Sequence, residues 1–119
     1  MKLWLQALSP HDLVKEILIE RFPFVIGRQS ESDCPLPLAF ISRRQCEFTR
    51  VDKQIYVQDL ESYNGTFVNG KRATTPLPLH NGDELHLGPT PFRVVVQPGP
   101  ETAELFLGST RDEAPSDEV

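Results

Sequence analysis

The run Asp59-Leu60-Glu61-Ser62-Tyr63-Asn64-Gly65-Thr66-Phe67-Val68-Asn69-Gly70 constrains this chain most, because it holds two Asn-Gly pairs in close succession. Asn-Gly is the strongest short signal for a tight turn, since both residues tolerate positive φ at little steric cost. Two such turns leave room between them only for a short strand. The second pair lies between Phe67-Val68 and Lys71-Arg72, as a hairpin turn does. The first follows Ser62 and Tyr63 and precedes Thr66. A hairpin has no need of those side chains, whereas a loop that offers hydrogen-bond donors to a ligand does.

The rest of the chain up to Val96 reads as strands. Apolar or alternating runs occur at 2–8, 14–20, 24–27, 34–36, 45–51, 54–58, 66–68, 77–79, 84–87 and 92–96. Turn residues separate them: Ser9-Pro10-His11-Asp12, Asp52-Lys53, the two Asn-Gly pairs, Asn81-Gly82-Asp83 and Gly88-Pro89. Many short strands at close spacing predict an all-β sandwich or barrel. Pro35 and Pro37 restrict 34–38 to an edge or irregular strand, because proline cannot donate to a ladder. By pattern alone, Val14, Ile17 and Leu18 would also fit one helical turn.

Charge divides the chain. From Gln97 onward there are six acids and one base (Arg111), out of 17 acids and 12 bases in all, which leaves eleven of each in residues 1–96. The expected organisation is therefore a domain over 1–96 and an acidic tail over 97–119. The tail loses periodicity apart from Leu105-Phe106-Leu107 and has the composition of a disordered segment. A neutral body argues against nucleic acid, which calls for a broad basic face, but not against a small anion pocket. No run is long enough to span a membrane, and Leu3-Trp4-Leu5 is too short for a signal peptide and reads as a first strand. A cytoplasmic protein is expected. Cys34 and Cys46 would allow one pairing, but a disulfide framework usually shows more cysteines. Cys46 shares strand parity with Phe48 and reads as a buried thiol acting as a small hydrophobe.

Two further stretches carry the ligand reading. Ile26-Gly27-Arg28 ends the apolar run from Phe22 with a glycine and a lone arginine, and Ile41-Ser42-Arg43-Arg44 sets a hydroxyl beside two guanidiniums. Together with Ser32-Asp33, Leu36, Asp59-Leu60, Ser62, Asn64-Gly65-Thr66, Asn69-Gly70, Leu79, Asn81-Gly82-Asp83 and Leu87-Gly88, in that order and spacing, they resemble the forkhead-associated (FHA) domain, a phosphothreonine-binding module. The resemblance covers almost all of residues 1–96. It implies a two-sheet β-sandwich of about eleven short, mostly antiparallel strands, with the ligand loops at one end and 14–20 as a second strand.

The resemblance also implies roles. Arg28 and Ser42 would contact the phosphate, with Arg43 beside them touching phosphate or peptide backbone. Asn64 would grip the peptide main chain, and Gly27 would let the chain turn so that Arg28 faces the pocket. Gly65 would support the loops, and Thr66 and Asn69 read by their own chemistry as loop-stabilising residues whose side chains satisfy nearby backbone groups. An arginine suits the task because its planar fork meets two phosphate oxygens together. Each residue has a plainer alternative: Arg28 as a partner of Glu31 or Asp33, Ser42 as a turn hydroxyl, Asn64-Gly65 as an ordinary hairpin. Their co-occurrence at the family's spacing favours the pocket. Two positions depart from the pattern. Gln45 stands where the family usually has a bracing histidine, and its donor and acceptor can imitate a neutral imidazole. Tyr63 stands where a short hydroxyl residue usually reaches the phosphate, so Tyr63 is expected as a wall for the peptide and Ser62 as a candidate to help the phosphate.

Nothing in the sequence points to catalysis: there is no nucleotide loop, no metal-spaced His/Cys/Asp cluster and no nucleophile elbow. His11, His80 and His86 are scattered; the last two flank a turn and could face each other. No cofactor or metal is expected. The function read from the chain is non-catalytic binding of phosphothreonine-containing partners in Ser/Thr kinase signalling. Two alternatives remain open. Phosphorylation of Thr102 or Thr110 in the tail would let the pocket bind its own chain, within one molecule or between two as a homo-oligomer. A phosphate-independent scaffold with a degenerate pocket is the other.

Overall fold

The computed structural model describes residues 1–9 and 13–99. Eleven strands occur among them: β1 (Lys2–Ala7), β2 (Glu16–Ile19), β3 (Phe24–Gly27), β4 (Cys34–Pro35), β5 (Cys46–Val51), β6 (Gln54–Asp59), β7 (Thr66–Val68), β8 (Lys71–Arg72), β9 (Leu77–Leu79), β10 (Glu84–Leu87) and β11 (Thr90–Gln97). They form a six-stranded sheet, β2-β1-β11-β10-β7-β8, and a five-stranded sheet, β4-β3-β5-β6-β9. Only the β3–β4 pair is parallel among the pairings described.

Alternation decides what is buried. In β1, Leu3 and Leu5 face inward; in β6, Ile55, Val57 and Asp59 do so. These join Ile26, Phe48, Leu85, Leu87, Phe92 and Val94 between the sheets. Each such side chain contributes about 1.5–3 kcal/mol on burial. In β2, Ile17 and Ile19 are buried and Glu16 and Leu18 are not, a period of two that rules out the helical turn. Its register with β1 sets Leu3 opposite Ile19 and Leu5 opposite Ile17. Pro35 and Pro78 lie on β4 and β9, the two edges of the smaller sheet, where a missing N–H costs no ladder bond.

The two Asn-Gly pairs differ as their surroundings predict. Asn69-Gly70 joins β7 to β8 with Val68 opposite Lys71, and both turn residues have positive φ, 49° and 87°. That is the primed hairpin turn. In Asn64-Gly65 only the glycine is left-handed, at 89°, and the pair belongs to a longer loop between β6 and β7.

The cysteines do not pair. Ile26 is flanked by Cys34 on β4 and Cys46 on β5. Neighbouring strands lie about 4.8 Å apart, so two steps put these residues well beyond the ~7 Å that a disulfide tolerates between Cα atoms. Both thiols are free, and burial pushes the Cys46 thiol far above its ordinary range.

Strand directions give the sandwich two poles. β3, β6, β8 and β10 run towards one pole, and β5, β7 and β11 run away from it. The β3–β4, β4–β5, β6–β7 and β10–β11 connections therefore meet there, tied by Gly88 N donating to Gly65 O at 2.8 Å. Residues 10–12 and 100–119, including Thr102 and Thr110, lie outside the described residues.

Candidate functional site

At that pole β3 ends in Gly27, where the chain passes too close to its neighbour for any side chain. A Cβ on Gly27 would fall 2.1 Å from Arg43 O and 2.6 Å from Ser32 Oγ. The close approach is held by Arg28 N donating to Ser42 O (2.9 Å) and Gln29 N donating to Arg43 O (3.3 Å). Arg28 is thereby fixed at its backbone, while its exposed guanidinium makes, among the described residues, a 3.5 Å contact with Ala39 O alone. Its supposed competitors are occupied elsewhere. Asp33 accepts from Val25 N (2.8 Å) and Arg21 (3.2 Å), and Glu31 accepts from Ser30. The amide of Val25, more than Arg21, holds the Asp33 carboxyl below its ordinary value.

Ser42 is held from two sides. Its N–H donates to Gln45 Oε1 at 3.1 Å, and its Oγ accepts from Tyr63 N at 2.9 Å. With a lone pair so used, the hydroxyl proton stays free to donate. Asn64 gives one side-chain N–H to Phe40 O at 2.9 Å. The residue is exposed, and its Oδ1 has no hydrogen-bond partner among the described residues. Tyr63 is 91% exposed and does not turn back over the serine. Arg28, Ala39, Phe40, Ile41, Ser42, Arg43, Tyr63 and Asn64 line one open depression of about 360 Å³. Its lining includes two arginines and no acidic residue, so it favours anions.

Beneath the depression lies a buried polar network. Gln45 is fully buried. Its Nε2 shares two protons among three acceptors, Ser62 Oγ (3.0 Å), Gly65 O (2.8 Å) and Thr66 Oγ1 (3.1 Å), and its Oε1 accepts from Ser42 N. One carboxamide thus ties together both loops that carry the pocket. Ser62 needs correction. Its hydroxyl donates to Asp59 and accepts from Gln45 and from Gly65 N (3.0 Å), so every position is filled and none faces the depression. Thr66 likewise donates to Asp59 Oδ1 at 2.8 Å. Asn69 lies at the opposite pole, where it donates to Asp83 and accepts from Glu84 N. It supports the β7–β10 pairing and not the ligand loops.

Asp59 and Arg72 act beneath the loop, in a place that the motif pattern alone does not mark. The signal was there for Asp59, whose parity with Ile55 and Val57 points it inward, where a carboxylate must find donors. His80 and His86 do not converge: the first lies 3.9 Å from Asp83 and the second 3.4 Å from Glu84. Among the described residues no group of three His, Cys, Asp or Glu could hold a metal.

Comparison with known proteins agrees with this fold. The family model of the FHA domain matches residues 24–88. The oxoglutarate dehydrogenase inhibitor of Corynebacterium diphtheriae is 40% identical over 83 residues, which cover 70% of this chain and 56% of that protein. The glycogen accumulation regulator GarA of Mycobacterium tuberculosis is 38% identical over 78 residues, 66% of this chain and 46% of that protein. The chain thus spans about half the length of these curated relatives. A solved FHA domain, studied for phosphothreonine-dependent FHA domain interactions, superposes with a TM-score of 0.69 at 26% identity, over 82% of this chain and 99% of that one. By the family match, the relatives and the two-sheet topology together, the chain belongs to the FHA domain family.

Proposed function

We propose that this domain binds phosphothreonine-containing segments of partner proteins and catalyses nothing itself. What supports the reading is one depression lined by Arg28, Ser42 and Arg43, with the Ser42 hydroxyl proton free to donate and no acidic residue in the lining. A phosphothreonine brings roughly −1.5 to −2 charges and three acceptor oxygens. Two guanidiniums answer the charge and the serine hydroxyl answers an oxygen. The exposed Asn64 amide is free to pair with the peptide backbone beside the phosphate, and Tyr63 forms a rim for neighbouring side chains.

The relatives are named as an inhibitor and a regulator, which supports a regulatory role: recruiting or releasing a partner in Ser/Thr kinase signalling. That role belongs in the cytoplasm, where such kinases act. No helix among the described residues is long and apolar enough to cross a membrane. The test is calorimetry with the best phosphothreonine peptide from an oriented library and its unphosphorylated twin. Micromolar or tighter binding of the first alone is expected. Equal affinity for both would replace this reading by the phosphate-independent scaffold.

A further inference from the structure

Asp59 ends β6 with its side chain 3% exposed. Donors reach it from two directions. From the loop come Ser62 N (3.2 Å) and the hydroxyls of Ser62 and Thr66. From the opposite side comes Arg72, whose Nη2 and Nε lie 3.1 and 3.4 Å from Oδ2. The same Nη2 donates to Ser62 O at 2.6 Å. Both residues of β8 are exposed, so this short strand adds nothing to the core. What it delivers to the sandwich is the Arg72 guanidinium.

The charge orders the protons around it. A carboxylate only accepts, so Ser62 and Thr66 must aim their single hydroxyl protons at Asp59. Ser62 is then left with lone pairs for Gln45 Nε2 and Gly65 N. That fixes the facing of the Gln45 amide, with its oxygen on Ser42 N. A one-directional chain of hydrogen bonds therefore starts at the Ser42 amide in the pocket and ends on Asp59, whose counter-charge is Arg72. The guanidinium itself lies on the other side of the loop, in a separate depression with Glu61 and Thr74, and does not line the pocket.

We propose that Arg72 is a positioning residue for phosphopeptide capture. By bridging the Asp59 carboxylate and the Ser62 carbonyl it sets the loop that carries Tyr63 and Asn64, and through Gln45 it sets Ser42. This rests on the phosphopeptide reading above. An arginine is required because its planar fork reaches a carboxylate and a carbonyl together, whereas an ammonium is a point charge.

The experiment compares the parent with Arg72→Ala and Arg72→Lys. Each is titrated with the phosphothreonine peptide, and the amide resonances of Ser42, Tyr63, Gly65 and the Gln45 side chain are recorded. Arg72→Ala is expected to lose about tenfold or more in affinity, as a displaced charge partner does. Its resonance shifts should be confined to those residues, and Arg72→Lys should recover part of the loss. Because the depression around Arg72 is open, millimolar methylguanidinium should restore binding to Arg72→Ala, and methylammonium should restore less. Unchanged affinity in a folded Arg72→Ala overturns the proposal, as does a loss that methylguanidinium leaves untouched. If Arg72→Ala does not fold, Arg72→Lys decides: parent-like affinity with unmoved Gln45 and Ser42 resonances overturns it. A parent protein that binds no phosphopeptide would sink the phosphopeptide reading, and this one with it, before any Arg72 variant is considered.

Discussion

Replacing Gln45 with alanine removes the carboxamide that joins both ligand loops, and the structure says which of its partners suffers. Gly65 O keeps the bond from Gly88 N, and the hydroxyls of Ser62 and Thr66 keep Asp59. Among the described residues Ser42 N has no partner but Gln45 Oε1, and it is left orphaned. That amide is half-buried, so its lost bond costs towards the lower end of the ~1–3 kcal/mol of a buried unsatisfied group. The space vacated by a fully buried side chain adds to this, so a total of roughly 2–4 kcal/mol is expected. For a domain of this size that lowers the melting temperature by at least about 8 °C. Because the orphan belongs to the serine of the pocket, phosphopeptide affinity should fall as well. Calorimetric melting and peptide titration measure the two effects. A Gln45→Ala protein with unchanged melting temperature and affinity would refute the bracing argument.

Gln45→His refines the same test. A neutral imidazole offers one donor and one acceptor, so the fold should persist near neutral pH. Protonation would take away the acceptor for Ser42 N. Burial lowers the folded-state value of the imidazole below its unfolded value of about 6.5. The brace is therefore present above pH ~6.5 and is lost as pH falls through that range, which the parent's stability should not show. Stability is the proper readout, because the ligand phosphate titrates near the same pH.

Other outcomes follow from the same geometry. Arg28→Ala should lose about 2–5 kcal/mol of phosphopeptide binding with its melting temperature nearly unchanged, and equal affinity by calorimetry would remove Arg28 from the site. Gly27→Ala drives a methyl group into Arg43 O and should weaken both folding and binding; a melting curve like the parent's would show that the loops can separate freely. Asp33 is held as a carboxylate by Val25 N, so its contribution to stability is present above its unfolded value, near pH 4, and lost as pH falls below that. Melting temperatures of Asp33→Asn and the parent should therefore converge in acid, and a constant gap would contradict this.

Much of the fold is legible in the chain because sheets repeat every two residues and turns carry their own chemistry. Leu3 and Leu5, or Ile55 and Val57, declare their faces by alternation alone. Asn69-Gly70 declares a two-residue hairpin. The loops are less legible because parity lapses there. Ser62 reads as a surface hydroxyl beside Tyr63, yet its side chain turns under the loop to Asp59. Arg72 reads as a hairpin flank of no consequence, since its partners lie thirteen and ten residues back and meet it only when β7 and β8 fold over the end of β6. Strand register decides such contacts, and register is a property of the whole sandwich.

The pairing of β1 with β11 has a consequence for how this domain can be joined to other chains. Lys2 faces Gln97 across the ladder at the far pole, and the pair extends from there to the ligand pole, where Ala7 faces Phe92. The two ends of the folded body are thus close neighbours, about 20 Å of strand away from the pocket. Polypeptide attached at either end leaves on the far side, so fusion partners or tandem copies need not shadow the ligand loops. A short linker from Gln97 to Lys2 should allow a circular permutant opened at the Asp52-Lys53 turn, which also lies on the far side, with its binding face intact.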